Sequence, residues 1–134
     1  MKHNNKALSK KLKGLFNTTQ NKAVDYNKEF EINRKTWNTK VAVHAESEFY
    51  DLANFTKGKM SLQKYELEAL GNISNKKLLH LQCHFGQDTL NLARMGAKCT
   101  GVDISDEGIK LAKQLNAELK LDANFVCCNV LDTS

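Results

Sequence analysis

The chain has 134 residues, of which 41% are hydrophobic and 26% charged, and a formal net charge of +5. This length suits one domain able to bury a core. No apolar run is long enough to span a bilayer, and Met1 to Lys13 lacks the apolar stretch of a secretory leader, so a membrane-embedded or secreted class is not expected. Four cysteines (Cys83, Cys99, Cys127, Cys128) show no disulfide-framework spacing, which agrees with a reducing, cytoplasmic setting.

The charge is uneven. Residues 1–40 hold ten lysines and arginines against three acids, whereas residues 41–134 hold ten against twelve. The basic character therefore belongs to the N-terminal segment. A solvated, flexible tail over residues 1–23 is the expectation; a nucleic-acid arm is the alternative. Within it, Leu8, Leu12, Leu15 and Phe16 have helical spacing.

Residues 24–71 read as a helical lead-in. Val24 to Leu52 looks largely helical, with Phe30, Trp37, Val41 and Ala45 on one apolar face expected to pack. Phe55 and Gly58 suit a turn. Ser61 is placed to cap a helix running to Leu70, which Gly71 closes.

Residues 72–134 change pattern. Leu78 to Leu81 suits a buried strand. A turn containing Gly86 follows, then a short helix through Leu90, Leu92 and Ala93, closed by Gly96. Ala97 to Val102 is a second strand, ending on Asp103. Ser105 is a candidate N-cap, with Asp106 and Glu107 suited to a helix start. Gly108, Leu111, Ala112, Leu115 and Leu119 follow a helical stripe, and Asn124 to Val130 reads as a third strand. The order β-α-β-α-β with right-handed crossovers makes the strands parallel.

Strand, tight turn, helix, strand, acid is the opening unit of a nucleotide-binding α/β fold. The first N–H groups of the helix after the turn have no partner inside it, so they can face a polar ligand. Gly86 permits close approach to the backbone. Asp103, 17 residues further on, can accept hydrogen bonds from a ribose diol; the usual spacing is about 20. A dinucleotide fingerprint needs G-x-G-x-x-G, and Gln82-Cys83-His84-Phe85-Gly86 does not supply it. The turn therefore favours a ligand without a pyrophosphate over a nicotinamide dinucleotide.

The stretches Leu78-Leu79-His80-Leu81-Gln82-Cys83-His84-Phe85-Gly86-Gln87-Asp88-Thr89-Leu90, Gly96-Ala97-Lys98-Cys99-Thr100-Gly101-Val102-Asp103-Ile104-Ser105 and Phe125-Val126-Cys127-Cys128-Asn129-Val130-Leu131-Asp132 resemble the first three motifs of class I S-adenosylmethionine-dependent methyltransferases. Trp37-Asn38, His44, Ser47 and Phe49-Tyr50-Asp51 resemble the helical lead-in of one bacterial branch of that family. The resemblance implies a Rossmann-like doubly wound parallel sheet, of which only the first three strands are present, behind N-terminal helices.

It also implies a cofactor, S-adenosyl-L-methionine, and residues to bind it. The family's three first-motif glycines fall on Gln82, His84 and Gly86. The backbone of Gln82, Cys83, His84 and Gly86 would hold the amino-acid end. Asp103 would hold the ribose hydroxyls and Ile104 one face of adenine. The Asn129 amide would meet the adenine amino group, and the Val130 N–H a ring nitrogen. Phe49 and Tyr50 would close over the cofactor.

No catalytic residue is assigned. His84 reads either as a group that orients substrate or as a loop histidine satisfied by backbone, His80 and the cysteines as packed groups, Asp88 as a helix-start residue, and no metal site is expected. The expected partner is a small-molecule methyl acceptor, with neither membrane nor nucleic acid. The fold needs about 30 residues per strand–helix unit, so the chain reads as the N-terminal half of a methyltransferase domain, with an unpaired sheet edge open to self-association. A nucleotide-binding oxidoreductase fragment and an inactive binding module are the alternatives.

Overall fold

The computed structural model describes residues 25–132. The basic segment 1–23 and its leucine stripe lie outside the described residues. The elements are α1 (Asn27–Ala45), α2 (Leu52–Thr56), α3 (Lys64–Leu70), β1 (Lys77–Leu81), α4 (Gln87–Arg94), β2 (Lys98–Asp103), α5 (Asp106–Glu118) and β3 (Asn124–Cys127), then a 3₁₀ turn at Val130–Asp132. The sheet order is β1-β2-β3 with both pairs parallel. This is the α/β, Rossmann-like arrangement that the pattern of apolar runs predicts, with the helical lead-in before it.

Register explains which face is covered. His80, Gly101 and Phe125 are cross-strand neighbours in one row. They face α4 and α5: His80 Nδ1 lies 2.7 Å from Thr89 Oγ1, and Phe125 crowds the Ala112 side of Gly86. The row Leu81–Val102–Val126 alternates to the opposite face. There Leu81 and Val126 stay about half exposed, as does Leu79. The apolar run of β1 is thus half-buried on one face and exposed on the other, because among the described residues both crossover helices lie on the same side.

The core runs through Phe55, Phe85, Leu90, Cys99, Ile109, Ala112, Leu115 and Phe125. Each large side chain buried there contributes about 1.5–3 kcal/mol. Phe55 departs from the expected turn. It lies in α2 and is 1% exposed, with the Arg94 guanidinium over its ring and donating to its carbonyl at 2.8 Å. Burial of a phenylalanine outweighs the weak local preference for a turn.

Three more boundaries shift. The predicted helix from Val24 to Leu52 is α1, a turn through Phe49 and Tyr50, and the start of α2. Gln63, not Ser61, caps α3, through a capping box with Glu66. Ser61 is used elsewhere: its hydroxyl donates to Asp88 and accepts from Asn91 Nδ2, fastening the lead-in to α4. The third strand stops at Cys127, and its last predicted residues belong to the turn that follows. Consequently Cys127 is exposed and Cys128 half-buried, in contrast to the packed cysteines expected; Cys83 and Cys99 are buried.

Ser105 caps α5 as its sequence position predicts, accepting from Gly108 N at 2.9 Å. Helix α1 docks on this same corner through a set of polar bonds. Asn38 accepts from the Ser105 hydroxyl at 2.6 Å and donates to Asp106, and Arg34 also donates to Asp106. These bonds hold the Asp106 carboxyl below its ordinary range, that from Asn38 most. Val41 is the buried residue of α1.

Candidate functional site

A cavity of ≈ 560 Å³ opens where β1 and β2 end. That size falls within the range of small-molecule sites. Gln82, His84, Asp103, Ile104, Asn129 and Val130 line it, and so does Tyr50. They come together because parallel strands bring all their carboxyl ends to one edge, where the turns after β1, β2 and β3 meet.

The turn after β1 has an unusual backbone. Gln82, His84 and Gly86 all have positive φ, at 54°, 54° and 76°. These are the three positions where the resembled family carries glycine. The loop therefore keeps a glycine-type path with two bulky residues in it, and the left-handed conformation costs an L-residue about 1–2 kcal/mol. Gln82→Gly is expected to raise stability by about 1 kcal/mol, since relief of that strain exceeds the added freedom of the unfolded chain. Urea unfolding checks it; a loss of stability would mean the Gln82 side chain contributes contacts that outweigh the strain.

Two predicted site residues face elsewhere. Gly86 turns to the core: a Cβ built on it would lie 2.5 Å from Cε1 of Phe125 and 3.1 Å from the Ala112 methyl. Its missing side chain makes room for β3 and α5. Cys83 is 4% exposed, and burial pushes its thiol up to about 12. Neither lines the cavity.

Asp103 combines burial with access. It is 7% exposed yet contributes to the cavity wall. One carboxylate oxygen accepts from His84 N and the other from Ser105 N, both at 2.8 Å. Each oxygen keeps a further lone pair. The carboxylate is thus fixed by the backbone on either side of it and can still accept from a ligand. Ile104 adds an apolar wall. Asn129 Oδ1 accepts from Leu131 N at 3.1 Å, which orients its amide.

The other wall comes from the lead-in. Phe30, Asn33 and Trp37 line the cavity, as does Leu131. Phe30 and Trp37, read from their spacing as a packing face, instead stand over the strand ends; the seven-residue interval on one helix was the available signal. Tyr50 is held by Gln87 Nε2, which donates to its carbonyl at 2.6 Å. Burial, and then the Asp88 charge, raise the Tyr50 phenol above its ordinary value. Phe49 is 88% exposed and lies apart from the cavity.

His84 joins the two walls. Its Nε2 is 3.0 Å from Nδ1 of His44, and its ring meets Trp37 edge-on at 5.5 Å and Tyr50 at 5.6 Å between centroids. His44 in turn stacks on Tyr50. Sequence gives no direct sign of this pairing, because the two histidines are 40 residues apart. Among the described residues, no group of three His, Cys, Asp or Glu side chains is placed to hold a metal ion. No described helix is long and apolar enough to cross a membrane.

A parallel sheet with a glycine-type turn after its first strand and a buried acid ending its second is the arrangement common in nucleotide-binding α/β folds. A family model described as a methyltransferase domain matches residues 78–134. Magnesium protoporphyrin IX methyltransferase of Synechocystis PCC 6803, solved with bound SAM, is 20% identical; the match covers 85% of this chain and 59% of that one, with a TM-score of 0.55. TehB of Haemophilus influenzae is 22% identical over 56% of this chain and 27% of that one, TM-score 0.49. A structure from work on conversion of a disulfide bond into a thioacetal group in echinomycin biosynthesis is 33% identical over 52% and 28%, TM-score 0.46. A search of curated proteins finds no match. The match to the methyltransferase-domain model begins within β1 and takes in β2 and β3, and the magnesium protoporphyrin IX methyltransferase shares this fold. The chain spans 59% or less of the length of each structure named.

Proposed function

We propose that this chain binds S-adenosylmethionine at the ends of β1 and β2 and supplies the cofactor-binding half of a methyltransferase acting on a small-molecule acceptor. The observation that carries the reading is Asp103, held by two backbone N–H groups in the cavity wall with lone pairs to spare. A ribose diol needs such a fixed double acceptor. The backbone of the turn from Gln82 to Gly86 would face the amino-acid end, with Gln82 and His84 beside it. Ile104 would lie along adenine, with Asn129 and the Val130 N–H at its polar edge, and Trp37 and Tyr50 would close the other side.

The described residues that line the cavity fit such a ligand: one charged acceptor, an apolar wall and aromatic rings, with no lysine or arginine among them for a pyrophosphate. Bound S-adenosylmethionine supplies an activated methyl group, so what the protein adds is chiefly position and exclusion of water. Titration calorimetry of the full chain tests the reading. Binding of S-adenosylhomocysteine with no binding of NAD is expected; NAD binding, or neither, overturns it.

A further inference from the structure

Helix α1 lies across the cavity but is weakly fastened. Its contacts to α5 are the exposed Arg34–Asp106 pair and the bonds of Asn38. An exposed ion pair contributes about 0–1 kcal/mol. Toward the other end of α1, past the buried Val41, His44 stacks on Tyr50 and bonds to the cavity-lining His84. An element fastened largely through polar side chains at the surface opens at lower free-energy cost than one buried in the core.

That bond has a chemical condition. Two imidazole nitrogens facing each other share one proton, so one of them must present a lone pair. If both rings are protonated, two N–H donors face each other. His84 also has little room for a second proton. Its Nδ1 is buried and has no hydrogen-bond partner among the described residues, so protonation there would bury an unpaired N–H on a charged ring. We propose that the His44–His84 bond latches the lead-in helix over the cavity and releases it when the pair is protonated, so that ligand access is controlled by pH. The link to cofactor rests on the function proposed above; the latch itself does not.

The groups around the pair set the direction. Burial lowers the affinity of His84 for a proton, and the His44 charge lowers it further. Asp103, at the end of β2, pulls the other way. It is the lesser influence, since its carboxylate already accepts two backbone N–H groups. Tyr50, the other titratable ring on the pair, is raised and stays neutral throughout the relevant range. Lys40, on α1, sits over the Trp37 ring at 4.7 Å. The docked state thus favours neutral His84, and the open state lets it take up a proton near its ordinary value of about 6.5. The open form binds more protons, so docking weakens as pH falls below that value, by roughly tenfold per pH unit for one proton.

Trp37 is the sole tryptophan of the chain and lies against His84, so its emission reports docking without any ligand. The full chain is titrated from pH 8 to pH 5.5, with far-UV circular dichroism recorded alongside. The expected result is a red shift toward solvent-exposed emission below about pH 6.5 with the circular dichroism unchanged. His84→Asn, a residue that tolerates positive φ, should lose the shift. Should that variant not fold, His84→Gln serves, because Gln82 already has the same φ of 54°. Constant wild-type emission, a shift that coincides with loss of secondary structure, or a shift retained in the variants would overturn the latch. Calorimetry with S-adenosylhomocysteine at pH 8 and 5.5 separates the two readings. An emission shift with no binding at either pH supports the latch and sinks the cofactor assignment. Equal binding at both, with constant emission, sinks the latch alone.

Discussion

Replacing Asp103 with alanine is expected to weaken the proposed binding of S-adenosylhomocysteine by about 1–3 kcal/mol, the cost of losing a charged hydrogen-bond acceptor. In affinity this is roughly fivefold to 150-fold. The same change strips His84 N and Ser105 N of the oxygens they donate to at 2.8 Å. Part of the effect therefore appears as lower stability of the ligand-free protein. Asp103→Asn divides the two. It keeps the size and one acceptor oxygen, but its amide nitrogen cannot accept from a backbone N–H. Calorimetry gives the affinity and thermal melting without ligand gives the stability. If affinity is unchanged in a folded Asp103→Ala protein, the carboxylate does not hold the ligand and the proposed binding mode fails.

Gly86→Ala is expected to destabilise the protein by about 2–5 kcal/mol. Overpacking typically costs about 1–3 kcal/mol, and positive φ adds about 1–2 kcal/mol for an L-residue. The added methyl would lie 2.5 Å and 2.7 Å from two carbons of the Phe125 ring. Phe125 is fixed in β3 under α5 and is 6% exposed, so it has little room to move. Phe125→Leu should recover part of the loss when combined with Gly86→Ala, since the clash disappears while the strain of φ 76° remains. Urea unfolding of the two single variants and the double variant measures the coupling. Additive losses would show that the methyl and the ring do not meet.

These two residues show how a motif position can be legible in sequence while its role is not. Gly86 and Asp103 were both marked by spacing alone. Spacing places Asp103 at the end of a strand, and its two backbone donors and its place in the cavity wall follow from that position. Gly86 needs to lack a side chain for a different reason from the one its motif suggests. The ring that excludes a methyl comes from Phe125, 39 residues later in the chain, and no local pattern joins them. Cys83 is similar: it lies in the turn, but the Gly101 and Phe125 row beneath it takes its side chain into the core.

By itself the sequence determined the β-α-β-α-β order, the parallel sheet, the cap at Ser105 and the strand-end acid. All of these follow from short-range periodicity, capping chemistry and the handedness of crossovers. Tertiary structure alone decided the burial of Phe55, the one-sided cover of the sheet and the closing wall of the cavity. It took Phe30 and Trp37, which local spacing assigns to packing, and set them over the strand ends beside His84. The physical reason is that those contacts join residues tens of positions apart, and only the folded chain determines which side chains meet.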